Sequence, residues 1–322
     1  MYEAIKNFNQ QFLFEPKIIN EENFIQKSSF VVVGMGGSAL AALLLKTWKP
    51  KLNITIRRDY GLPEFYPEEL KNKLIILSSY SGNTEEVIDA FKEAQNKNLA
   101  MAVISIGGKL LELAKENNVP YIKLPDTGIQ PRSALGFSIK AFLKFIGEEE
   151  ELKKLTELAT VLNPIDFEKE GKILAEKIRN HIPVIYASDR NLSVAYNWKI
   201  KLNESGKIPA FYNVFPELNH NEINGFNVKD STRELNNKFY FIFLKDTEDD
   251  PRILKRMEVT EKLYQDRNLP TRTLELTGEN IWFKIFSSLV LADWAAYYTA
   301  LQYGLDPQQI PMVENFKKLI LE

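Results

Sequence analysis

Three observations predict an α/β protein of two domains, each a mostly parallel sheet flanked by helices. Short β-branched runs alternate with amphipathic stretches, which is typical of strand–helix–strand units with right-handed crossovers. The alternation stops at a charged stretch near the middle of the chain and then resumes. The length of 322 residues is more than one hydrophobic core usually serves. We therefore expect one domain over residues 1–150 and a second over residues 151–322.

Five apolar runs in the first half are predicted strands, and helices are expected between them. The predicted strands cover residues 29–34, 53–58, 74–79, 101–106 and 121–125. Segment 84–98 places Val87, Ile88, Phe91 and Ala94 on one face, as a helix packed on a sheet requires. The charged run 148–157 has no strand signal, and we interpret it as a solvated helix face or a linker.

The second half repeats this pattern without a visible repeat of residues. Predicted strands cover residues 183–188, 209–214, 238–244 and 271–276. The apolar stretch 281–300 is long enough to span a membrane, but Lys284 and Asp293 interrupt it. We expect a buried core helix there.

Composition excludes several classes of function. The net charge of −2 provides no strong field for nucleic acid or an anionic membrane, so neither is an expected partner. The chain has no cysteine and two histidines, which excludes disulfides and thiolate catalysis and argues against any metal site. The N-terminus lacks the pattern of a signal peptide, and we expect a cytoplasmic protein.

A glycine-rich turn follows the first predicted strand. Gly34, Gly36 and Ala39 satisfy the dinucleotide fingerprint, and Asp59 ends the next strand, where a ribose ligand is expected. A nicotinamide-dependent dehydrogenase is therefore an alternative function. A tight strand-to-helix turn without a ligand is another explanation for these glycines.

A hydroxyl-rich turn, LSSYSGNTEE (77–86), follows the third predicted strand. Ser78, Ser79, Ser81 and Thr84 offer hydroxyls, and Gly82 allows the backbone to approach a ligand closely. Hydroxyls and free N–H groups at a helix N-terminus form a phosphate cradle, which the helix dipole favours. Helix capping explains Thr84 but not the serines before it. A small phosphorylated ligand fits this turn better than a dinucleotide.

These motifs resemble a known family. S-x-S-G-x-T after a parallel strand, with GMGGSA upstream, is similar to the sugar isomerase (SIS) domain, and LNESGKIPAFYNVFPELNHNEING (202–225) resembles the second-domain signature of the bifunctional phosphoglucose/phosphomannose isomerases. The resemblance implies two tandem SIS domains. It also implies a cofactor-free aldose–ketose isomerase that acts on glucose 6-phosphate and fructose 6-phosphate through an enediolate.

The resemblance assigns roles to individual residues. It implies that Glu204 is the base that moves the carbon-bound proton and that His220 opens the sugar ring from the other subunit of a homodimer with shared active sites. Arg132 would stabilise the enediolate, and Lys317, on a closing helix within 306–321, would contact the ring-opening end of the substrate. The substrate phosphate would rest on Gly37, Ser38, Ser79, Ser81 and Thr84.

The sequence departs from the family pattern at one point. Dual-specificity members carry a threonine before the closing lysine, where this chain has Pro307-Gln308-Gln309-Ile310. Mannose 6-phosphate therefore stays an open second substrate. A non-catalytic SIS protein that senses a sugar phosphate is a further alternative, although the basic helix-turn-helix arm usual in such regulators is missing before the first strand.

Overall fold

The computed structural model describes residues 1–320 and divides the chain into two compact units. The first domain is Asn7–Asn163, and the second joins Met1–Lys6 to the chain from Pro164 onward. Helix α1, Tyr2–Lys6, belongs to the second domain because the Tyr2 hydroxyl donates to Glu168 Oε2 over 3.2 Å and its ring packs 5.1 Å from that of Trp294. Each domain has its own sheet and core, as predicted.

The first domain is built on a five-stranded parallel sheet in the order β2-β1-β3-β4-β5. The strands are β1 Phe30–Val33, β2 Ile54–Arg57, β3 Leu74–Ser78, β4 Met101–Ser105 and β5 Tyr121–Lys123. The helices are α2 Gly36–Trp48, α3 Pro67–Lys71, α4 Glu85–Asn96, α5 Gly108–Glu116, α6 Leu135–Ile146 and α7 Glu149–Val161. The five predicted strands are confirmed. Strands β1 and β3 are buried along their whole length, as the apolar runs suggested.

The second domain has a four-stranded parallel sheet in the order β7-β6-β8-β9. Its strands are β6 Ile182–Ser188, β7 Phe211–Phe215, β8 Phe239–Lys245 and β9 Thr271–Glu275. Its remaining helices are α8 Glu168–Lys177, α9 Leu192–Glu204, α10 Glu222–Gly225, α11 Arg233–Asn236, α12 Pro251–Gln265, α13 Ile281–Gln302 and α14 Pro311–Leu319. Strands β7, β6 and β8 follow the same order as β2, β1 and β3 of the first sheet, so the likeness of the halves lies in topology.

The charged stretch 148–157 is a solvated helix face, one of its two interpretations, and not a linker. The two compact units divide at 163/164 and not at the predicted 150/151. Helix α7 carries its charges on one face, whereas Leu152, Leu155 and Leu158 are buried on the other. It packs on α6 and on the 3-10 helix Phe8–Leu13, both of the first domain. The three leucines bind the helix to that core, which is why the division falls after it.

The apolar segment 281–300 is a buried core helix, as predicted. Residues 284–296 of α13 are all buried, and the two charges that interrupt them are paired. Asp293 Oδ2 accepts from Lys201 Nζ over 2.7 Å, and Lys284 Nζ donates to Asp246 Oδ1 over 3.2 Å. Among residues 1–320 no helix is long and apolar enough to cross a membrane.

Candidate active site

The glycine-rich and hydroxyl-rich turns of the first domain meet at the carboxyl edge of its sheet. They follow β1 and β3, which are adjacent and parallel. The Ser38 hydroxyl accepts from the Tyr80 amide over 2.8 Å, so the turns are joined directly. Both turns are free of acidic residues over 34–38 and 79–84. We call this edge the first-domain cradle.

The hydroxyls of the cradle hold one another in place. Ser79 and Thr84 share a hydrogen bond of 2.7 Å between their hydroxyl oxygens, and Ser79 Oγ also accepts from the Gly82 amide over 3.1 Å. Thr84 is the N-cap residue of α4, yet its side chain makes no capping bond to the helix backbone. Its hydroxyl faces the serine turn instead, as a phosphate-binding hydroxyl would. Ser81 is exposed, and Thr84 is half-buried.

Gly82 has the left-handed conformation that the turn needs. Its φ is +73°, and a Cβ there would lie 1.8 Å from the carbonyl oxygen of Gly107. Any larger residue would displace the segment that joins β4 to α5. The glycine therefore fixes the shape of the cradle.

Gly37 brings Arg132 to the same region. A Cβ at Gly37 would lie 2.7 Å from the backbone nitrogen of Arg132 and equally close to Pro131. The first turn of α2 thus packs on the 3-10 helix Pro131–Ser133 without a side chain in between. Arg132 is 1% exposed, so its side chain is held in the domain interior next to the cradle turn. The structure brings five predicted phosphate ligands and Arg132 into one region of one domain.

Glu204 is the last residue of α9. The helix is closed by Lys201, whose carbonyl oxygen accepts from the amides of Ser205 and Gly206 over 2.8 and 3.0 Å. The Lys201 side chain is fully buried in its ion pair with Asp293. Because this pair fixes the last turn of α9 to α13, the position of Glu204 is well defined. Its carboxylate is half-buried.

His220 ends the 3-10 helix Glu217–His220, and its side chain is exposed. The polar residues around it anchor the loop to the second domain. Asn219 Nδ2 donates to Thr260 Oγ1 over 2.9 Å, and Asn221 Nδ2 donates to Glu217 Oε1 over 2.7 Å. The neighbours of His220 thus fix the backbone, and the imidazole extends to the surface.

A second anchor of the His220 loop reaches the core of the sheet. The Tyr186 hydroxyl donates to Glu222 Oε1 over 2.5 Å, and Asn213 Nδ2 donates to Glu222 Oε2 over 2.5 Å. Burial raises the pKa of Tyr186 well above its usual value, and neighbouring Tyr264 and Glu222 raise it further. The phenol therefore stays protonated and remains a donor.

Lys317 lies on α14, and its side chain is exposed. The last residue of the closing segment predicted at 306–321 lies outside the described residues. The other histidine, His181, donates from its Nδ1 to the Arg179 carbonyl oxygen over 2.9 Å and packs edge-on to Tyr240, which are the contacts of a structural residue.

The carboxyl edge of the second sheet carries charges where the first carries hydroxyls. Ser188 ends β6, and its hydroxyl donates to Asp249 Oδ1 over 2.8 Å. Lys284 Nζ donates to Asp246 Oδ1 and also to Glu248 Oε1 over 2.5 Å. Burial lowers the pKa of Lys284, but its bonds to these carboxylates outweigh that effect and raise it overall. We call this edge the second-domain ion cluster.

The side chains of the described residues do not form a metal site, and the residue expected to bind a dinucleotide ribose makes local contacts instead. Within residues 1–320 no group of three or more histidine or acidic side chains could hold a metal ion. Asp59 is exposed after β2, where its carboxylate pairs with Arg57 over 3.5 Å and accepts from the Tyr60 amide. This residue is therefore engaged locally at the position expected for a ribose ligand.

Comparison with known proteins decides the family. The family of the bacterial phospho-glucose isomerase C-terminal SIS domain matches residues 167–320. A bifunctional phosphoglucose/phosphomannose isomerase of Aquifex aeolicus is 31% identical over 99% of this chain and 97% of its own length. The chain belongs to the bifunctional phosphoglucose/phosphomannose isomerase family. A relative of the same name from Thermoplasma acidophilum is 35% identical over 91% of this chain and 90% of its own.

Solved structures share the α/β fold of this chain. Glucosamine-6-phosphate deaminase from Thermotoga maritima superimposes with a TM-score of 0.67 over 96% of this chain and 97% of its own, at 19% identity. The C-terminal domain of glucosamine-fructose-6-phosphate aminotransferase from Francisella tularensis gives 0.66 over 96% of both chains, at 15% identity. At these identities the likeness concerns the fold.

Sequence reasoning missed the residue pairs that hold the end of α9 and the His220 loop in place. Lys201 and Asp293 are 92 positions apart, and Tyr186 and Glu222 are 36 apart. Only the interruption of an apolar stretch by Asp293 could have suggested a buried partner for it. Lys207, within the signature stretch 202–225, was also missed.

Proposed function

We propose that this chain is an aldose–ketose isomerase that interconverts glucose 6-phosphate and fructose 6-phosphate and also accepts mannose 6-phosphate. The observation that carries the proposal is family membership over nearly the whole chain, together with Glu204 at a rigidly closed helix end. The four relatives that match 90% or more of the chain at 31–35% identity are all named as bifunctional phosphoglucose/phosphomannose isomerases.

The reaction moves one proton between adjacent carbons. In this proposal the Glu204 carboxylate takes the proton from C2 of the open-chain aldose, which leaves an enediolate, and returns it to C1. The proton of the C2 hydroxyl passes to O1, which gives the ketose. The Arg132 guanidinium would stabilise the negative charge that develops on the enediolate oxygens. No electrons enter or leave, so the chemistry requires neither a redox cofactor nor a metal.

The first-domain cradle suits the substrate phosphate. Its hydroxyls at Ser38, Ser79, Ser81 and Thr84 are donors, and it lies at the N-termini of α2 and α4, where the helix dipoles favour an anion. Absence of acidic side chains from both turns removes the main source of repulsion. Lys317 is proposed to contact the ring-opening end of the sugar.

Mannose 6-phosphate differs from glucose 6-phosphate only in the configuration at C2. The enediolate is common to both, so a site that lets the substrate turn about its C2–C3 bond can accept either epimer. Segment Pro307–Ile310 lacks the threonine of dual-specificity members, and the relatives named as bifunctional favour dual use nonetheless. The ratio of activities on the two substrates tests this point.

A coupled assay with each hexose 6-phosphate in the presence of EDTA tests the proposal. We expect turnover of glucose 6-phosphate that chelation leaves unchanged, and no change in the NAD spectrum on titration. Glu204→Gln should lower kcat by about 10²–10⁴-fold because an amide cannot accept the carbon-bound proton. Glu279→Gln is the control, since Glu279 lies exposed in the same domain and outside the proposed site. Wild-type protein that binds the sugar phosphate without turnover would identify a sensor instead.

We also propose a homodimer in which His220 serves the partner's substrate. His220 is exposed on a loop with two anchors, so it is presented rigidly at the surface of a single chain. A neutral imidazole can carry the proton between the ring oxygen and O1 near neutral pH. Mixing inactive Glu204→Gln and His220→Ala chains should restore up to roughly a quarter of wild-type activity, since half of the dimers mix and each has one intact site. Mixed dimers without activity would contradict this role.

A further inference from the structure

The turn after Glu204 contains a lysine in an unusual conformation. Lys207 has φ +60°, in the left-handed backbone region that residues other than glycine and asparagine rarely adopt. Such conformations persist where surrounding contacts enforce them, and they are concentrated at functional sites. The contacts of this side chain therefore show what the conformation achieves.

The ammonium group of Lys207 bridges two backbone carbonyls that are far apart in sequence. Its Nζ donates to the carbonyl oxygen of Glu204 over 2.5 Å and to the carbonyl oxygen of Gln309. The first carbonyl belongs to the proposed base. The second lies in the segment that leads directly to α14 and Lys317.

The segment that receives this contact has little burial of its own. Between residues 303 and 320 only Pro307 is buried in the chain described here. A charged donor to a carbonyl is stronger than a neutral one, so it suits the task of holding an exposed segment. By contrast, the Glu204 side of the bridge is rigid, because Lys201 and Asp293 fix the end of α9.

We propose that Lys207 is a positioning residue, whose ammonium fastens the 307–310 segment to the turn that carries Glu204. The inference rests on the proposed function for the roles of Glu204 and Lys317. Lys207 touches the backbone of both segments and acts through them. Loss of the Lys207 ammonium should leave Glu204 in place. It should free segment 307–310, which leads to Lys317, from its attachment to the turn after α9.

Two variants and one control separate this role from general stability. Lys207→Gly removes the ammonium and suits a positive φ, so the fold should be retained. Lys207→Arg keeps a cationic donor. Lys199→Met removes a half-buried lysine from helix α9, which precedes the turn of Lys207, and serves as the control.

Hydrogen exchange and kinetics are measured together on the full chain. In Lys207→Gly we expect amides of residues 303–316 to exchange at least about fivefold faster, with β6 unchanged, and kcat for fructose 6-phosphate to fall about tenfold. Lys207→Arg should recover most of both values, and Lys199→Met should match wild type.

Each outcome decides a different point. Unchanged amide exchange at residues 303–316 in Lys207→Gly would show that the Lys207 ammonium does not hold segment 307–310 in place. Faster exchange with unchanged kcat would show that Lys207 holds the segment but that this contact does not position the catalytic groups. If wild-type protein has no isomerase activity, the positioning role falls together with the proposed function. The exchange result still decides whether Lys207 holds segment 307–310 in place.

Discussion

The carboxyl edges of the two sheets occupy the same place in the same topology but have opposite chemistry. After β1 and β3 the chain has glycines and hydroxyls, joined through Ser38 and Tyr80. After β6 and β8 it has Ser188, Asp246 and Asp249, with Lys284 donating into the cluster. In our proposal the first edge accepts the substrate phosphate, whereas the second edge already holds its own cation and carboxylates. One fold thus has two edges, and the side chains placed at each edge set its chemistry.

The largest effect is expected from breaking the second-domain ion cluster. Lys284→Met leaves the Asp246 carboxylate, which is 1% exposed, without its cation. The second domain should lose about 3–5 kcal/mol of unfolding free energy. Denaturant unfolding followed by tryptophan fluorescence reports mainly on this domain, because Trp198, Trp282 and Trp294 belong to it.

The control for that variant is an exposed lysine of the same domain. Lys255 pairs with Glu258 over 3.6 Å, and its side chain is 74% exposed. Lys255→Met should change stability by less than about 1 kcal/mol. Equal losses in the two variants would show that the cluster contributes no more than a surface pair.

A smaller effect is expected from changing the shape of the first-domain cradle. In Gly82→Ala the new methyl group would meet the Gly107 carbonyl oxygen, so the turn must shift at a cost of about 1–3 kcal/mol. KM for the sugar phosphate should rise in parallel. Gly107→Ala is the matched control, since no atom lies within 4 Å of a Cβ built there. A normal KM in Gly82→Ala would remove the cradle from substrate binding.

Removing a single hydroxyl sharpens the comparison between the edges. Thr84→Val keeps the shape of the side chain and removes one donor, so affinity for fructose 6-phosphate should fall about fivefold, or about 1 kcal/mol. The counterpart at the other edge is Ser188→Ala, which should alter stability and leave affinity unchanged. Calorimetric titration of both variants measures the difference. A matching loss of affinity in Ser188→Ala would contradict the division of roles.

The smallest effect is a pH dependence confined to the second edge. Burial raises the pKa of Asp249, and Asp246 adds to the shift. An acid whose pKa is raised on folding loses stability as pH rises from its unfolded value, about 3.9, through its folded value. Asp249→Asn lacks this contribution, so its stability relative to wild type should increase over that window. Parallel stability curves would show that Asp249 does not titrate as proposed.

Strands and the two ligand turns were predictable because their signals are local. Buried β-branched runs gave the positions of β1 and β3, and the SYSGNT hydroxyls follow the second of these directly. Helix α7 shows the limit of reading charge alone. Leu152, Leu155 and Leu158 recur at helical spacing through the charged run and directly after it, and they determine where the domain boundary falls.

Contacts between distant positions could not be predicted from one sequence. Nothing local to Lys201 indicates that its partner is Asp293, and nothing local to Lys207 indicates a contact with Gln309. The content of the second-domain ion cluster is equally non-local, because Lys284 reaches it from another helix. Such pairings depend on the packing of whole elements.

The most direct test of the comparison is the number of sugar phosphates that each chain binds. Glu204→Gln, which should bind without turnover, is titrated calorimetrically with fructose 6-phosphate. One ligand per chain is expected, and Ser81→Glu in that background should abolish binding, because it adds a negative charge at an exposed position of the cradle. Two ligands per chain, or undiminished binding in the Ser81→Glu variant, would contradict the assignment of the phosphate to the first edge alone.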